Sequence, residues 1–226
     1  MPYAVDNSRF QHQAAAAAER VQAVRRELKL EPHRPVILFA GKFIPVKGVY
    51  LLIRAYSKLP RVNGEPLPYL VLVGGGPLRA ELEQLALQCG VPGVRFAGFQ
   101  NQTELPAYFS LSTVLALPSN YEPWGLIVNE AMSCARPAVV SDVAGCAPDL
   151  IEDGVTGYQF RSGDAAGLAD ALHKSTCDPE HAKAMGQASL RRIGTWDYEA
   201  DVRGLREALA RMFPDRVQAA PATIPA

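Results

Sequence analysis

The chain has 226 residues, 48% of them hydrophobic, and its 23 basic residues equal its 23 acidic ones. This composition is typical of a folded globular domain, and zero formal charge argues against a protein that binds nucleic acid. No apolar run approaches the ~20 residues of a membrane span, and the amino end lacks the pattern of a secretory signal. We therefore expect a cytoplasmic chain that does not insert into a membrane.

Cysteine and histidine positions give no indication of a metal or redox site. The cysteines are Cys89, Cys134, Cys146 and Cys177, and their separations match no known ligand or redox spacing. No pair of histidines stands at helical ligand spacing beside a third candidate ligand. We expect reduced, mostly buried thiols and no bound metal or cofactor.

Before residue 35, the sequence predicts little regular structure apart from one helix. Residues 1–10 show no periodicity, whereas residues 11–28 predict an Ala-rich helix. From residue 35 onward, short apolar runs alternate with segments of helical period, as in parallel βαβ units. Strands are predicted at 35–40, 69–73, 94–97, 114–117, 138–141 and 157–160.

The segments between and after these strands complete the prediction of the fold. Helices are predicted at 49–59, 78–88, 165–175, 179–192 and 198–212. Residues 61–68, with an Asn-Gly pair and two prolines, predict an exposed loop, and the tail after Pro214 is predicted to be loose. Together the elements predict a single doubly wound, Rossmann-like α/β domain. Its six-stranded sheet is mostly parallel, with helices on both faces.

Ligands of such sheets bind at the carboxyl ends of the strands, so the loops there are informative. After the first strand, Lys42 and Lys47 lie on a loop that leads into a helix and can hold a diphosphate. Two solvated surface lysines are an equally good interpretation. After the second strand, Gly74-Gly75-Gly76 lets the backbone pass close to a ligand. Arg79 breaks the dinucleotide fingerprint, however, so a tight strand-to-helix turn is the simpler interpretation.

The loop after the fourth strand carries two carboxylates, Glu122 and Glu130, eight positions apart. A turn at Trp124 predicts a helix whose first amides, on Gly125 and Leu126, point into the same loop space. Charged carboxylates accept hydrogen bonds from sugar hydroxyls, which suits both glutamates. For an isolated pair, the alternative is a helix-dipole contact and a wet helix face. Cations, glycines and carboxylates at one edge together predict a site for a sugar–nucleotide diphosphate.

Residues 122–132, EPWGLIVNEAM, are similar to a family signature of two glutamates separated by seven residues. The family is family four of the retaining glycosyltransferases with the GT-B fold. Residues 41–48, 74–77, 94–99 and 152–158 also resemble segments of this family. Most of the chain thus resembles the carboxyl-terminal, donor-binding half of such enzymes.

The resemblance implies a role for each candidate residue. Lys42 and Lys47 would neutralise the diphosphate, Glu122 would contact the transferred sugar, and Glu130 would hold the ribose hydroxyls. The candidate catalytic residues are Lys42, Lys47 and Glu122, and the candidate substrate-binding residues are Gly41, Gly75, Phe96, Phe99, Trp124, Gly125, Leu126 and Glu130. Phe96 and Phe99 would lie near the base. Lys42 stands where the family usually has Arg, and an ammonium lacks the planar two-point grip of a guanidinium.

The resemblance also implies a division of the chain. Residues 1–34 would be an interdomain linker and N-terminal helix, 35–212 the nucleotide-sugar binding domain, and 213–226 a flexible tail. The amino-terminal, acceptor-binding domain would be missing. Residues 196–198 and the helix that follows resemble the segment that packs back on that half. We therefore expect Leu205, Leu209 and Met212 to have lost part of their packing.

The implied reaction transfers a sugar from a nucleotide-diphosphate donor to an acceptor hydroxyl and retains the anomeric configuration. No Asp-x-Asp element is present to hold a bridging metal, so we expect lysines and helix dipoles to act instead, and little activity from this chain alone. Full-length members often work at the inner membrane face. One alternative is a free-standing sugar-nucleotide-binding subunit that pairs with a separate acceptor-binding chain. Another is a GT-B epimerase or phosphorylase, which the glutamate spacing argues against.

Overall fold

A computed structural model describes residues 3–61 and 66–213 of the chain. One six-stranded sheet has the order β3-β2-β1-β4-β5-β6, and every neighbouring pair of strands is parallel. The strands are β1 (Val36–Ala40), β2 (Tyr69–Val73), β3 (Val94–Gly98), β4 (Val114–Leu117), β5 (Ala138–Ser141) and β6 (Gly157–Phe160). Each predicted strand is confirmed to within one residue, and the sheet is wholly parallel.

Helices cover both faces of this sheet, as predicted. They are α1 (Asn7–Ala15), α2 (Ala18–Glu27), α3 (Val49–Tyr56), α4 (Arg79–Gln88), α5 (Leu105–Leu111), α6 (Leu126–Ser133), α7 (Ala147–Leu150), α8 (Ala165–Thr176), α9 (Pro179–Ile193) and α10 (Tyr198–Met212). A single 3-10 turn, Pro45–Lys47, precedes α3. The predicted helix over 49–59 ends at Tyr56, and its last residues form a tighter turn.

The prediction of one helix over 11–28 and of irregular structure before it is wrong. The carboxylate of Asp6 accepts a hydrogen bond from the Arg9 amide at 2.9 Å, so α1 already begins at Asn7. A break between α1 and α2 then lets Phe10 and Val24 both reach the same buried core. Alanine-rich sequence favours helix throughout this region, but burial of these two side chains decides where each helix lies.

Two hydrophobic layers follow from the alternation of side chains along the strands. In β1, Val36 and Leu38 face one layer, and Ile37 and Phe39 face the other. The first layer is covered by α1, α2, α5, α6 and α7, and the second by α3, α4 and α8. Strand β3 lies at the edge of the sheet, and its residues are only half-buried.

Helices α1 and α2 pack on α5 and α6, and Leu30 belongs to the same core. The proposed division at residue 34 into linker and domain remains a prediction. Part of the loop predicted over 61–68 lies outside the described residues, at 62–65, and so does the predicted tail from residue 214 onward. No helix in the described ranges combines the length and apolar character that a membrane span requires.

The thiols differ from the expectation that most are buried. Cys134 and Cys146 are buried, Cys89 is half-buried and Cys177 is exposed, and all are free. Burial raises the pKa of Cys134 and of Cys146 to about 12, so both are inert core residues at neutral pH.

Helix α10 differs from the other long helices because none of its residues is buried. Leu205 is 45% exposed, Leu209 39% and Met212 69%. The expectation that these side chains lack part of their packing is confirmed.

Candidate functional site

The order of the strands places a crevice between β1 and β4. The chain winds outward in opposite directions from these two strands, so the loops that follow them separate at their carboxyl ends. Here the ammonium of Lys47 lies 2.5 Å from Oε2 of Glu122. The amide of Asn120 also donates to the carbonyl oxygen of Val46 at 2.8 Å. Residues separated by 75 positions in sequence are therefore joined at this crevice.

Gly48 allows these two loops to approach. Its φ of +66° is one that residues with a side chain rarely adopt. A Cβ atom here would also lie 2.0 Å from the carbonyl oxygen of Pro118. Any other residue at this position would push the loop after β1 away from the loop after β4. The distance between Lys47 and Glu122 thus depends on a glycine.

A cavity of about 410 Å³ lies beside the crevice, at the same edge of the sheet. It is lined by Ala40, Gly41, Lys42, Val73, Gly74, Gly75, Phe99, Gln100, Leu105 and Ile127. Gly74 packs against the Gly41 carbonyl oxygen, which a Cβ atom would approach to 1.8 Å, whereas Gly75 faces open space. The structure therefore brings four of the candidate residues, Gly41, Lys42, Gly75 and Phe99, into one cavity.

Phe96 and Phe99, which are both predicted to lie near the base, line different hollows. The Phe96 ring meets the Phe43 ring edge-on at 6.1 Å and lines a separate apolar hollow beside α4. Phe99 is 80% exposed and lines the cavity of Lys42. Alternation along β3 and a turn at Gly98, with φ of +72°, separate the two rings. The structure brings only Phe99 to the other candidate residues.

The loop that leads into α6 has a fixed shape. Gly125, with φ of +102°, precedes the helix, and a Cβ atom there would lie 2.8 Å from Cδ2 of Leu117. The side chain of Leu126 is 43% exposed. The Gly145 amide donates to the Glu122 carbonyl oxygen at 3.0 Å, which ties this loop to the one after β5. This fixed loop sets where α6 begins, and the direction of its first amides stays a prediction.

The ring of Trp124 has a different environment from the one expected of a substrate contact. It is stacked between Tyr3 at 5.0 Å and Trp196 at 5.4 Å between ring centroids. Its indole N–H donates to the side-chain oxygen of Asn129 at 2.9 Å, and the side-chain NH₂ of Asn129 donates to the Tyr3 carbonyl oxygen at 2.7 Å. The ring of Trp124 is thus engaged by two aromatic neighbours from this chain. No local pattern predicts this contact, because Tyr3 and Trp196 lie far from Trp124 in the chain.

Glu130 lies one turn along α6 from the cavity residue Ile127 and is only 9% exposed. Burial raises the pKa of Glu130 to about 6, although the nearby Gln102 and Arg9 side chains partly oppose that rise. Its Oε2 atom is buried and has no hydrogen-bond partner among the described residues. A buried carboxylate oxygen without a donor is costly, so this atom is suited to accept a hydrogen bond from a ligand.

The cationic groups of the site differ in the charge that surrounds them. Lys42 is exposed and takes part in none of the ion pairs of the described chain. Lys47 is neutralised by Glu122, whose side chain is 10% exposed and also accepts a hydrogen bond from Ser119 at 3.3 Å. An anion that enters this crevice therefore meets one free ammonium and one that it must share with a carboxylate.

Residues 21–192 match the family model of glycosyl transferases group 1. The chain belongs to this family. It is 35% identical over 158 residues to an alpha-D-kanosaminyltransferase of Streptomyces kanamyceticus, which covers 68% of the chain and 39% of that protein. It is 32% identical over 209 residues to a GDP-mannose-dependent alpha-(1-6)-phosphatidylinositol monomannoside mannosyltransferase of Mycobacterium tuberculosis, covering 87% of the chain and 52% of that protein. The chain thus spans about half the length of the relatives it matches, or less.

Solved structures share this architecture. A sucrose-phosphate synthase from Thermosynechococcus elongatus superposes with a TM-score of 0.71 at 30% identity, over 85% of this chain and 49% of that one. Anabaena Alr3699/HepE in complex with UDP gives 0.74 at 24% identity, over 84% and 52%. The C-terminal domain of a glycosyl transferase group 1 protein (LpcC) from Francisella tularensis gives 0.66 at 23% identity, over 85% and 94%. The fold is therefore a Rossmann-like α/β domain of the kind found in GT-B glycosyltransferases.

Proposed function

We propose that this chain is the donor-binding domain of a retaining glycosyltransferase. The reaction would move a sugar from a nucleotide-diphosphate sugar to an acceptor hydroxyl. The observation that carries the proposal is the meeting of Lys47 and Glu122 at the crevice between β1 and β4, beside a glycine-lined cavity. Relatives of at least 30% identity are named for sugar transfer, one of them as dependent on GDP-mannose.

The diphosphate is the leaving group, and negative charge builds on its oxygens as the bond to the sugar breaks. Lys47, held by Glu122, and the amides that begin α6 are fixed before the reaction, and groups fixed in advance stabilise such charge most effectively. Lys42 adds a second ammonium at the edge of the cavity. The described residues gather no group of three side chains that could bind a metal ion. We propose that these cationic groups act without a bridging metal.

The two glutamates are suited to hydroxyl groups at opposite ends of the donor. Glu122 lies in the crevice beside Lys47, where it would contact the transferred sugar and leave the ammonium to the diphosphate. Glu130 has a buried oxygen without a partner in the described chain, and we assign to it the ribose hydroxyls. Phe99, exposed at the rim of the cavity, is the candidate for contact with the base.

An acceptor-binding domain is the proposed partner of this chain. Support comes from the exposed apolar side chains of α10 and from the length of the relatives, about twice that of the match. A separate acceptor-binding chain could use the same face of α10. The free thiols fit a reducing compartment, so we place the protein in the cytoplasm, with the assembled enzyme at the inner membrane face.

Calorimetric titration of this chain with UDP, GDP, ADP and their glucose or mannose derivatives tests the proposal. We expect one nucleoside diphosphate to bind most tightly, and Lys42→Gln to weaken it by about tenfold, as for the loss of one charged contact. Lys58→Gln, which removes an exposed lysine outside the cavity, is the matched control and should leave binding unchanged. Failure of every nucleotide to bind, or equal losses in the two variants, would contradict the donor assignment.

A further inference from the structure

A polar cavity of about 490 Å³ lies at the opposite edge of the sheet, where β1, β4 and β5 begin. Its wall combines the turns before these strands with side chains of α2, α8 and α9. The lining residues are Arg25, His33, Arg34, Pro35, Ser110, Leu111, Ser112, Thr113, Ala135, Arg136, Thr176, Pro179, Ala182, Lys183 and Gln187. We refer to it as the amino-edge cavity.

The titratable side chains that line the amino-edge cavity are all basic. They are Arg25, His33, Arg34, Arg136 and Lys183, and none of the described residues contributes a carboxylate to the lining. The chain as a whole has equal numbers of acidic and basic residues, so this excess of positive charge is local. Several cations around one cavity repel one another unless an anion lies between them.

Arg136 is the group that most needs a partner. Its Nε atom is buried without a hydrogen-bond partner, and none of the ion pairs in the described ranges includes it. Burial lowers the pKa of this guanidinium, which is the direction expected when a cation loses water and gains no counter-charge. Charges withdrawn from water are normally paired in folded proteins, so this half-buried guanidinium with a buried, unpartnered Nε atom calls for an acceptor from outside the described chain.

The neighbouring cations differ in how much of their bonding capacity is already used. Arg34 donates to the Leu67 carbonyl oxygen at 2.6 Å and pairs with Glu31 at 3.4 Å. Arg25 donates to the Glu31 carbonyl oxygen at 3.2 Å. Lys183 is exposed and takes part in no ion pair of the described chain. Of the arginine and lysine side chains in this lining, Arg136 and Lys183 are the two that make no hydrogen bond or ion pair within the described residues.

A structural explanation accounts for part of this charge. Helices α5, α6 and α8 end at this edge of the sheet, and their last carbonyl groups favour nearby cations. Arg136 follows the end of α6, but its Nε atom reaches no carbonyl oxygen in the described structure. Compensation of helix dipoles alone therefore leaves the central guanidinium without a partner.

We propose that the amino-edge cavity binds a phosphate group, held by Arg136 and Lys183. A guanidinium can donate two parallel hydrogen bonds to phosphate, and an ammonium adds a compact charge. A volume of about 490 Å³ exceeds the needs of inorganic phosphate and falls within the range of small-molecule sites. The preferred ligand is therefore a phosphate monoester of a small molecule. This site is separate from the cavity that Lys42 and Phe99 line at the carboxyl edge, and the proposal does not depend on the proposed function.

The test uses this chain labelled with ¹⁵N and titrated with sodium phosphate, with sodium chloride at equal ionic strength as the control. We expect saturable shifts of the amides of Arg136, Thr176 and Lys183 with phosphate only. Glycerol 3-phosphate should bind more tightly than phosphate if a monoester is the natural ligand. Equal affinity of the two probes would assign the site to free phosphate.

Variants separate binding from a structural role. We expect Arg136→Gln to weaken phosphate binding by about tenfold or more and Lys183→Gln by less, because the lysine is exposed. Lys42→Gln, in the cavity at the carboxyl edge, should leave the phosphate-induced shifts of Arg136, Thr176 and Lys183 unchanged. Because Arg136→Gln removes a half-buried charge that has no ion-pair partner in the described chain, its thermal unfolding in chloride should occur at the same or a higher temperature.

Two results would overturn the proposal. One is the same shifts with chloride as with phosphate. The other is unchanged phosphate affinity in folded Arg136→Gln, above all with a lowered unfolding temperature, which is the result expected of a purely structural arginine. If Arg136→Gln does not fold, unchanged affinity in Lys183→Gln, a substitution on an exposed helix surface, contradicts the proposal equally.

Discussion

The carboxyl and amino edges of the sheet hold buried charge in opposite ways. At the carboxyl edge, Lys47 is neutralised by Glu122, and the group without a partner is a carboxylate oxygen of Glu130. At the amino edge, the charges around the cavity are all positive, and the group without a partner is the guanidinium of Arg136. Both groups lack a partner within residues 3–61 and 66–213, the part of the chain that the structure describes.

This difference shows which kind of ligand group each edge can accept. A carboxylate oxygen takes hydrogen-bond donors such as hydroxyls, whereas a guanidinium takes acceptors such as phosphate oxygens. Helix α6 connects the two, because Gly125 precedes it at one edge and Arg136 follows it at the other. One short helix thus separates two sites of opposite preference.

The largest expected effect concerns the close approach of backbone that shapes the carboxyl edge. In Gly48→Ala, a Cβ atom would lie 2.0 Å from the Pro118 carbonyl oxygen at a φ of +66°, so we expect a loss of about 3–5 kcal/mol in the free energy of unfolding. Gly90→Ala is a matched control, since Gly90 has a φ of +63° but nothing within 4 Å. There the backbone term alone should cost about 1–2 kcal/mol. Equal losses in urea denaturation would mean that the contact with Pro118 does not matter.

The next effect concerns turnover in a complete enzyme that contains this domain. We expect Lys47→Ala to lower kcat by ~10²–10³, the scale of a removed oxyanion donor, because leaving-group charge loses a fixed cation. Lys47→Arg keeps the charge and should recover part of the rate. Lys58→Ala serves as the control at an exposed position. Near-normal turnover of Lys47→Ala would show that Lys47 does not stabilise the leaving group.

A smaller effect is the pH dependence of stability that Glu130 produces. Burial raises the pKa of Glu130 from 4.5 to about 6, so the folded protein takes up this proton at a higher pH than the unfolded chain does. Its contribution to stability is full below about pH 4.5 and is lost as pH rises through about 6. Between pH 5 and pH 7 the loss is about 1 kcal/mol.

Glu130→Gln should abolish that difference, and exposed Glu207→Gln should preserve it. Urea denaturation of the three proteins at pH 5 and pH 7 measures the change directly. An unchanged pH dependence in Glu130→Gln would show that this carboxylate is not desolvated, and the contrast with Arg136 would then disappear.

The smallest effect on stability lies outside both edges, on α10. Leu205→Ser and Leu209→Ser should change the unfolding free energy of this chain by less than about 0.5 kcal/mol, because both side chains are already exposed. Hydrogen exchange should likewise show α10 less protected than the central strands. Protection equal to that of β1 would show that this helix is fully packed without a partner.

The sequence was sufficient for the sheet because each strand is a short apolar run between turn residues, and buried parallel strands leave that pattern directly. It was also sufficient to bring Lys47 and Glu122 together, because the topology brings the ends of parallel strands to one edge. It did not predict α5 and α7, which are short, or the break between α1 and α2, which depends on burial of Phe10 and Val24.

Side-chain direction was the second source of error. Phe96 and Phe99 are close in sequence, but alternation along β3 and the turn at Gly98 send them to different hollows. The sequence also cannot predict that Nε of Arg136 lacks a hydrogen-bond partner in the described chain, because this depends on the positions of groups distant in sequence. Contacts between distant segments, or their absence, thus determine the parts of both sites that no local pattern encodes.

Trp124 and Trp196 are the only tryptophans of the chain, and they are stacked on each other beside the loop of Glu122. Fluorescence excited at the red edge of indole absorption therefore originates from a single spot in the molecule. An emission change on adding a nucleotide would report a rearrangement of that loop, and chemical denaturation followed in this way would report the separation of Tyr3 and Trp196 from α6.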